Sequence, residues 1–421
     1  MSRAWVLTVA ALLACSAGPS EQGRVLLIGI DGATLRVMEP LLAAGRLPNL
    51  AAIAGAGAYG PLRSTPPLLS PAIWTSIATG KARAKHGIDT FVREDNRGER
   101  RLYQSSDRRS HALWNIASDA GLQVGVINWW VTYPVETVHG VMVSDHAIPG
   151  QRKARAQQHG AQTREEGDVV YPAAWQTAIQ PLLADNSPLE GLPDPFPGAQ
   201  ETDGFLWQSI VRAIPGTDSR VVRIAVAVEQ ALRPDVMMVF LKGIDPVSHT
   251  LFGYLEPESL PEAVRERPEG LAAGAEALRQ YYEYTDALIG RLTDRFGPDD
   301  LVLVVSDHGF EAGPTASNRM LTGKHDSAEA SDGVVFARGR GIAPGSKADS
   351  ATIYDIAPTI LAWLDLPVGD DMDGQVAGFL DAGPTKRVAT HDTGRVERGQ
   401  ARDSGSEETI LEGLRALGYI E

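Results

Sequence analysis

Three stretches of this chain restrict its fold more than anything else: VLLIGI at Val25–Ile30, VMMVFL at Val236–Leu241 and LVLVV at Leu301–Val305. Each is a short, unbroken apolar run, too short for a buried helix and rich in branched residues. Strands with one wet face alternate apolar and polar side chains, whereas unbroken runs belong to strands buried on both faces, as in parallel sheets. Further strands are expected at Gln123–Asn128, Val141–Val143 and Val334–Ala337. Between them lie helical patterns, at Asp218–Leu232 (Val221, Ile224, Ala225 and Val228 on one stripe), Gly270–Phe296 and Tyr354–Leu364. Strands alternating with helices predict an α/β fold around a mostly parallel sheet.

Two segments interrupt the alternation. Residues 150–205 are rich in Pro, Gly, Gln and charge, and residues 250–268 resemble them; both are expected to be cap-like insertions. Beyond about residue 383 the chain turns polar, so 384–421 reads as a tail ending in a short amphipathic helix, with Ser406 as its N-cap. At the other end, MSRAWVLTVAALLACSAG has a basic start and a ten-residue apolar run, too short to span a bilayer. The stretch LLAC resembles a bacterial lipoprotein box, which would leave Cys15, the only cysteine, as the lipidated first residue. An ordinary signal peptide with an incidental cysteine is the alternative. Residues 1–23 are thus expected to be signal peptide and tether. The mature chain would be exported and held by lipid on the periplasmic side of the envelope, at the outer membrane.

The formal net charge of −14 argues against nucleic acid as a partner and against an anionic membrane surface beyond that lipid. It would also repel an anionic substrate unless bound cations reversed the local field.

In open α/β sheets, sites collect beyond the carboxyl ends of strands. Those ends supply Asp31, Asp245 with His249 four residues on, and Asp307–His308. Asp and His mixtures suit zinc, or manganese where oxygen ligands dominate. The tetrapeptide VSDH occurs twice, carrying Asp145–His146 and Asp307–His308. In SPAIWTSIATG, Ser70, Pro71 and Gly80 mark a helix with Ser70 at its N-cap. A capping serine and a nucleophile at a positive helix end fit this segment equally well.

Asp31, the Ser70 segment, DPVSH, SDHGF and GKHDSAEASDGVVFARGRGI occur in the order found in the alkaline phosphatase superfamily. The chain most resembles its type I phosphodiesterase/nucleotide pyrophosphatase branch, over about residues 24–380, including YDIAPTILAWLDLP and DMDG. The resemblance implies an alkaline phosphatase-like three-layer αβα sandwich over residues 24–383. It also implies two divalent ions, Zn2+ with Mn2+ as alternative. One would be held by Asp245, His249 and His325, the other by Asp31, Asp307, His308 and Ser70. The implied activity is a phosphodiesterase working through a phosphoseryl intermediate on Ser70 of a phosphate-ester substrate. Trp74 and Lys242 are candidate substrate contacts, set against packing and edge-lysine roles.

Of nine histidines, the resemblance needs three. His86 falls at a position read as structural, His391 lies in the polar tail, and His111, His139 and His159 read as surface residues. Asp145–His146 falls where the family has no ligand, with Ala147 in place of Gly309. Two departures matter: serine stands where threonine is usual in the pyrophosphatases, and Phe91 where an asparagine helps hold phosphate. Nucleotide specificity is therefore not implied. A phosphomonoesterase shares the metal core and stays an alternative. A sulfatase would need a C/S-x-P-x-R context, which Ser70–Trp74 lacks. A phosphoglycerate mutase fits an exported chain poorly, and an envelope scaffold would have lost ligands that are all present here.

Overall fold

The computed structural model describes residues 23–94, 100–148, 169–185, 187–196, 214–260, 262–266, 268–314, 321–393, 407–417 and 419. Cys15, His159 and Ser406 lie outside these. Nine strands form the central sheet: β1 (Val25–Ile30), β2 (Ala58–Leu62), β3 (Val124–Ile127), β4 (Gly140–Val143), β5 (Val170–Tyr171), β6 (Val236–Leu241), β7 (Leu301–Val305), β8 (Gly333–Arg338) and β9 (Ser346–Lys347). Their spatial order is β9-β2-β8-β7-β1-β6-β3-β4-β5. Only β8 and β5 run against their neighbours. The three unbroken apolar runs are thus adjacent at the sheet centre, as β7-β1-β6.

Their burial explains their composition. Leu26, Ile28 and Ile30 of β1 enter one core, while Val25 and Leu27 enter the core on the opposite face. β6 and β7 divide in the same way, so no position on these strands meets water. Fully burying one such side chain stabilises the fold by about 1.5–3 kcal/mol.

Helices cover both faces and complete three layers. On one side lie Leu35–Ala43, Pro48–Ala56, α2 (Ile214–Leu232) and α4 (Pro268–Thr293); on the other lie α1 (Ser70–Thr79), Leu113–Asp119 and α5 (Ile356–Trp363). Between β6 and α4 a short helix, α3 (Ile244–Leu251), sits over the strand ends, and α6 (Glu407–Leu417) closes the chain. Among the described residues, no helix is long and apolar enough to cross a membrane.

The structure differs from the sequence reading in local ways. β8 matches the expected Val334–Ala337 strand but is antiparallel, and β2 (AYGPL) gave no strand signal at all. A proline survives in β2 because β9 pairs only with Ala58 and Tyr59, leaving Pro61 free on that side. In the expected insertion 150–205, β5 adds to the sheet edge and Gln176–Ala184 is helical. The stretch read as the start of a polar tail is tied down: Arg387–Val388 pairs with Val368–Gly369.

Candidate active site

Parallel register brings the strand-end residues together. Ile30 pairs with Leu241 and Gly29 with Val305, so Asp31, Lys242 and Asp307 leave the sheet side by side. Two bonds from the β1 exit reach the β7 exit: Gly32 N–H donates to Asp307 Oδ1 (3.2 Å) and Ala33 N–H to Ser306 Oγ (2.8 Å). Gly32 (φ +70) fits this turn because a side chain there would collide with Phe310 and crowd Asp245. One helical turn of α3 places Asp245 and His249 on one face, with Oδ1 and Nε2 3.4 Å apart. His325 follows the short strand Gly323–Lys324, and its ring stacks on His308 with centroids 3.9 Å apart.

The side chains form two overlapping groups able to hold a cation: Asp245, His249 and His325, and Asp31, Asp245 and His308. The first is the trio implied by the resemblance. The second has Asp245 where Asp307 was expected, with Asp307 Oδ2 3.4 Å from His308 Nε2. Backbone carbonyls orient two of the imidazoles. His249 Nδ1 lies 2.9 Å from Gly323 O, and His308 Nδ1 lies 3.0 Å from Gly309 O. Since a carbonyl only accepts, both protons sit on Nδ1 and each Nε2 turns a lone pair to the centre.

This donor set fits a divalent ion. Asp307 Oδ2 and His308 Nε2 are buried without a hydrogen-bond partner, a costly state for polar atoms unless a cation satisfies them. The carboxylates show the same stress. Burial, then the charges of Asp307 and Asp245, push Asp31 well above the usual range, and burial raises Asp307. Burial also acts on Asp245, but His249 beside it holds it below its ordinary value. Burial, then His308 and His249, drive His325 well below the usual imidazole range, leaving it neutral and able to ligate.

Ser70 borders this cluster, its Oγ 3.5 Å from Asp31 Oδ1. It is the first residue of α1, and the N-cap is Leu69, not Ser70 as the sequence suggested. The helix end is also poorer in free donors than expected. Pro71 has no N–H, and the N–H groups of Ala72 and Ile73 both turn to Leu69 O. Charge on an incoming anion must therefore be balanced mainly by side chains and bound ions. The far end of α1 stops at Gly80 (φ +67) and is held by the DMDG segment: Asp373 N–H donates to Gly80 O (2.8 Å), and Lys81 Nζ contacts Asp371 (2.6 Å) and Asp392 (2.7 Å).

Trp74 takes the packing place and does not line the cavity. It is wholly buried and lies flush against bare Gly29 of β1, edge-on to Phe240 and Trp129. Lys242 does reach the cavity beside Ser70, a space of about 270 Å³ also lined by Asp31, Phe91, Asn128, Trp130, Asp245 and Tyr419. Burial holds its ammonium below the ordinary lysine range, with Asp218 opposing that effect.

The remaining sequence candidates are placed elsewhere. Asp145 accepts hydrogen bonds from Val131 N–H (2.8 Å), Thr132 N–H (3.3 Å) and Thr132 Oγ1 (3.2 Å), and His146 stacks on Tyr133 at 4.5 Å. Both border the cavity, but neither joins a cation group. His86 is buried, receives Ile88 N–H at Nδ1 and meets Ser76 Oγ at 2.9 Å. His391 bonds Pro367 O and His139 is exposed. His111, read as a surface residue, is buried with Nδ1 3.4 Å from Asp392.

Sequence reasoning missed Tyr419. It follows α6, and its hydroxyl donates to Asp245 Oδ1 (2.8 Å) and lies 2.9 Å from both His249 Nε2 and His325 Nε2. Burial and the neighbouring Asp245 raise its pKa well above the usual value, so the phenol keeps its proton. Only the amphipathic pattern of α6 hinted that this segment docks somewhere.

Known structures resemble this chain in fold. The candidate sulfatase from Bacteroides thetaiotaomicron VPI-5482 aligns with a TM-score of 0.51 at 13% identity, over 88% of this chain and 76% of that one. Human ectonucleotide pyrophosphatase/phosphodiesterase 5 aligns at 0.48 and 11%, over 85% and 100%. Phosphonoacetate hydrolase from Sinorhizobium meliloti 1021 aligns at 0.45 and 20%, over 71% of this chain and 60% of that one, so the match spans under two thirds of that enzyme. At such identities the likeness concerns the fold, here alkaline phosphatase-like. No curated protein matches the chain significantly. The profile of type I phosphodiesterase/nucleotide pyrophosphatase matches residues 25–355, from the first residue of β1 to just short of α5, and the chain belongs to that family.

Proposed function

We propose that this protein is a metal-dependent phosphoric ester hydrolase that cleaves phosphodiesters through a phosphoseryl intermediate on Ser70. One observation carries the reading: Ser70 borders a buried cluster of three carboxylates and three imidazoles, two of whose polar atoms lack any protein partner. Asp245, His249 and His325 would hold one divalent ion, and Asp31, Asp307, His308 and Ser70 Oγ the other, with Asp245 within reach of both. Two ions so bound supply Lewis acidity to the ester oxygens and lower the pKa of a coordinated hydroxyl.

The chain's own residues do the rest. Ser70, fixed at the start of α1, presents Oγ to the phosphorus; its O–P bond forms as the bond to the leaving alcohol breaks. Water then cleaves the seryl ester and frees Ser70. The nearest protein acceptor for the serine proton is Asp31 Oδ1. Lys242 supplies positive charge from the cavity wall. Phosphomonoesters fit the same cluster, and the choice between the two classes rests with the cavity.

Hydrolysis of bis-p-nitrophenyl phosphate by zinc- or manganese-loaded protein tests this. Ser70→Ala should abolish turnover while the protein still binds two ions. Full activity in that variant would remove the covalent step, and fewer than two ions in the parent would remove the paired centre.

A further inference from the structure

Tyr419 reaches the cluster because its segment has a built seat. Leu414 is buried with Phe91 and Leu102, Ile410 and Leu411 pack against them, and Glu407 Oε1 accepts from Leu102 N–H at 2.6 Å. At the end of α6, Tyr419 N–H bonds Leu414 O (2.9 Å), and the ring lies 4.8 Å from Phe91. The hydroxyl then stands 2.8–2.9 Å from Asp245 Oδ1, His249 Nε2 and His325 Nε2. A phenol has one proton to give, whereas Asp245 and His249 both accept. This triad is thus arranged for a cation, and Tyr419 faces it where a catalytic cation keeps its remaining position for solvent or substrate oxygen.

Resting on the hydrolase reading above, we propose that α6 and Tyr419 are an internal ligand of the centre that excludes substrate. The Tyr419 hydroxyl stands in for a substrate oxygen, and the apolar face of α6 for an apolar group esterified to the phosphorus. The cavity supports this independently. Phe91, Leu102 and Trp130 line it together with Ile410, Leu414 and Leu417 of α6, and Ser70 and Asp31 border it as well. When α6 leaves, the uncovered groove is aromatic and aliphatic, so the favoured substrate is an ester of an apolar alcohol.

Inorganic phosphate is the probe, applied to the zinc-loaded full chain. Phosphate should speed tryptic cleavage at Arg415, which is exposed on α6. Tyr419→Phe should bind phosphate about tenfold tighter by calorimetry, the equivalent of one lost charge-assisted hydrogen bond. In metal-free protein the same variant should lose protection at Arg415. A chain ending at Ser406 should match or exceed the gain in phosphate affinity. Unchanged phosphate affinity in both variants overturns the proposal. So does weaker zinc binding by Tyr419→Phe at constant phosphate affinity, which would make Tyr419 a permanent metal ligand. Phosphate binding does not need Ser70, so failure of the phosphoseryl step leaves this test intact.

Discussion

The same four residues, VSDH, end two strands of one sheet running in one direction, yet their fates differ. At β4, Asp145 is consumed by the backbone of Val131 and Thr132, and His146 by the face of Tyr133. At β7, Asp307 Oδ2 and His308 Nε2 are buried with no hydrogen-bond partner. The first pair is satisfied by the connection between β3 and β4; the second keeps two polar atoms free to face a cation. Residue type and strand position are equal, so the contrast lies in what the neighbouring loops bring to them. At β4 the N–H groups of Val131 and Thr132, from the connection between β3 and β4, turn to Asp145, while after β7 glycine and a second imidazole close in.

Two substitutions press on this contrast. Asp307→Asn should cut diester hydrolysis about a thousandfold or more, lower metal content, and leave metal-free stability unchanged or raised, since a strained buried charge is gone. A clear fall in the melting temperature of the metal-free variant would show that Asp307 is structural after all. Asp145→Ala should behave oppositely, losing about 1–3 kcal/mol by denaturant titration while keeping both ions. Loss of an ion there would erase the distinction between the copies.

His86 extends the comparison to an imidazole engaged at both nitrogens. Burial, then Arg108 and Arg83, push its pKa down to about 3. The unfolded chain, near 6.5, binds the extra proton first, so stability is complete above about pH 6.5 and declines as pH falls toward 3. Calorimetry at pH 6.5 and 5 should show His86→Gln losing less than the parent on acidification, by roughly 2 kcal/mol. Parallel losses would mean that His86 carries its proton in the native state.

The sheet centre and the metal-ligand candidates were legible because both obey short-range rules. Continuous apolar runs announce burial on two faces, and polar residues at strand ends are brought together by parallel register. β2 was illegible because pairing on both sides overrides the weak propensity of AYGPL. The sequence left Trp74 open between packing and substrate contact because exposure is decided by a partner far along the chain, here a glycine in another element. Tyr419 gave no signal because its three partners, Asp245, His249 and His325, come from elsewhere in the chain.

The meeting of Gly29 and Trp74 bears on descent. Gly29 lies two residues before Asp31, and Trp74 one turn after Ser70, so the bare strand and the indole set the spacing between Asp31 and Ser70. A Cβ at residue 29 would stand 2.6 Å from the indole. The two positions are therefore a lock and its key in the lineage: a relative that gains a side chain at one should have shed bulk at the other, and an isolated change should be rare among active members.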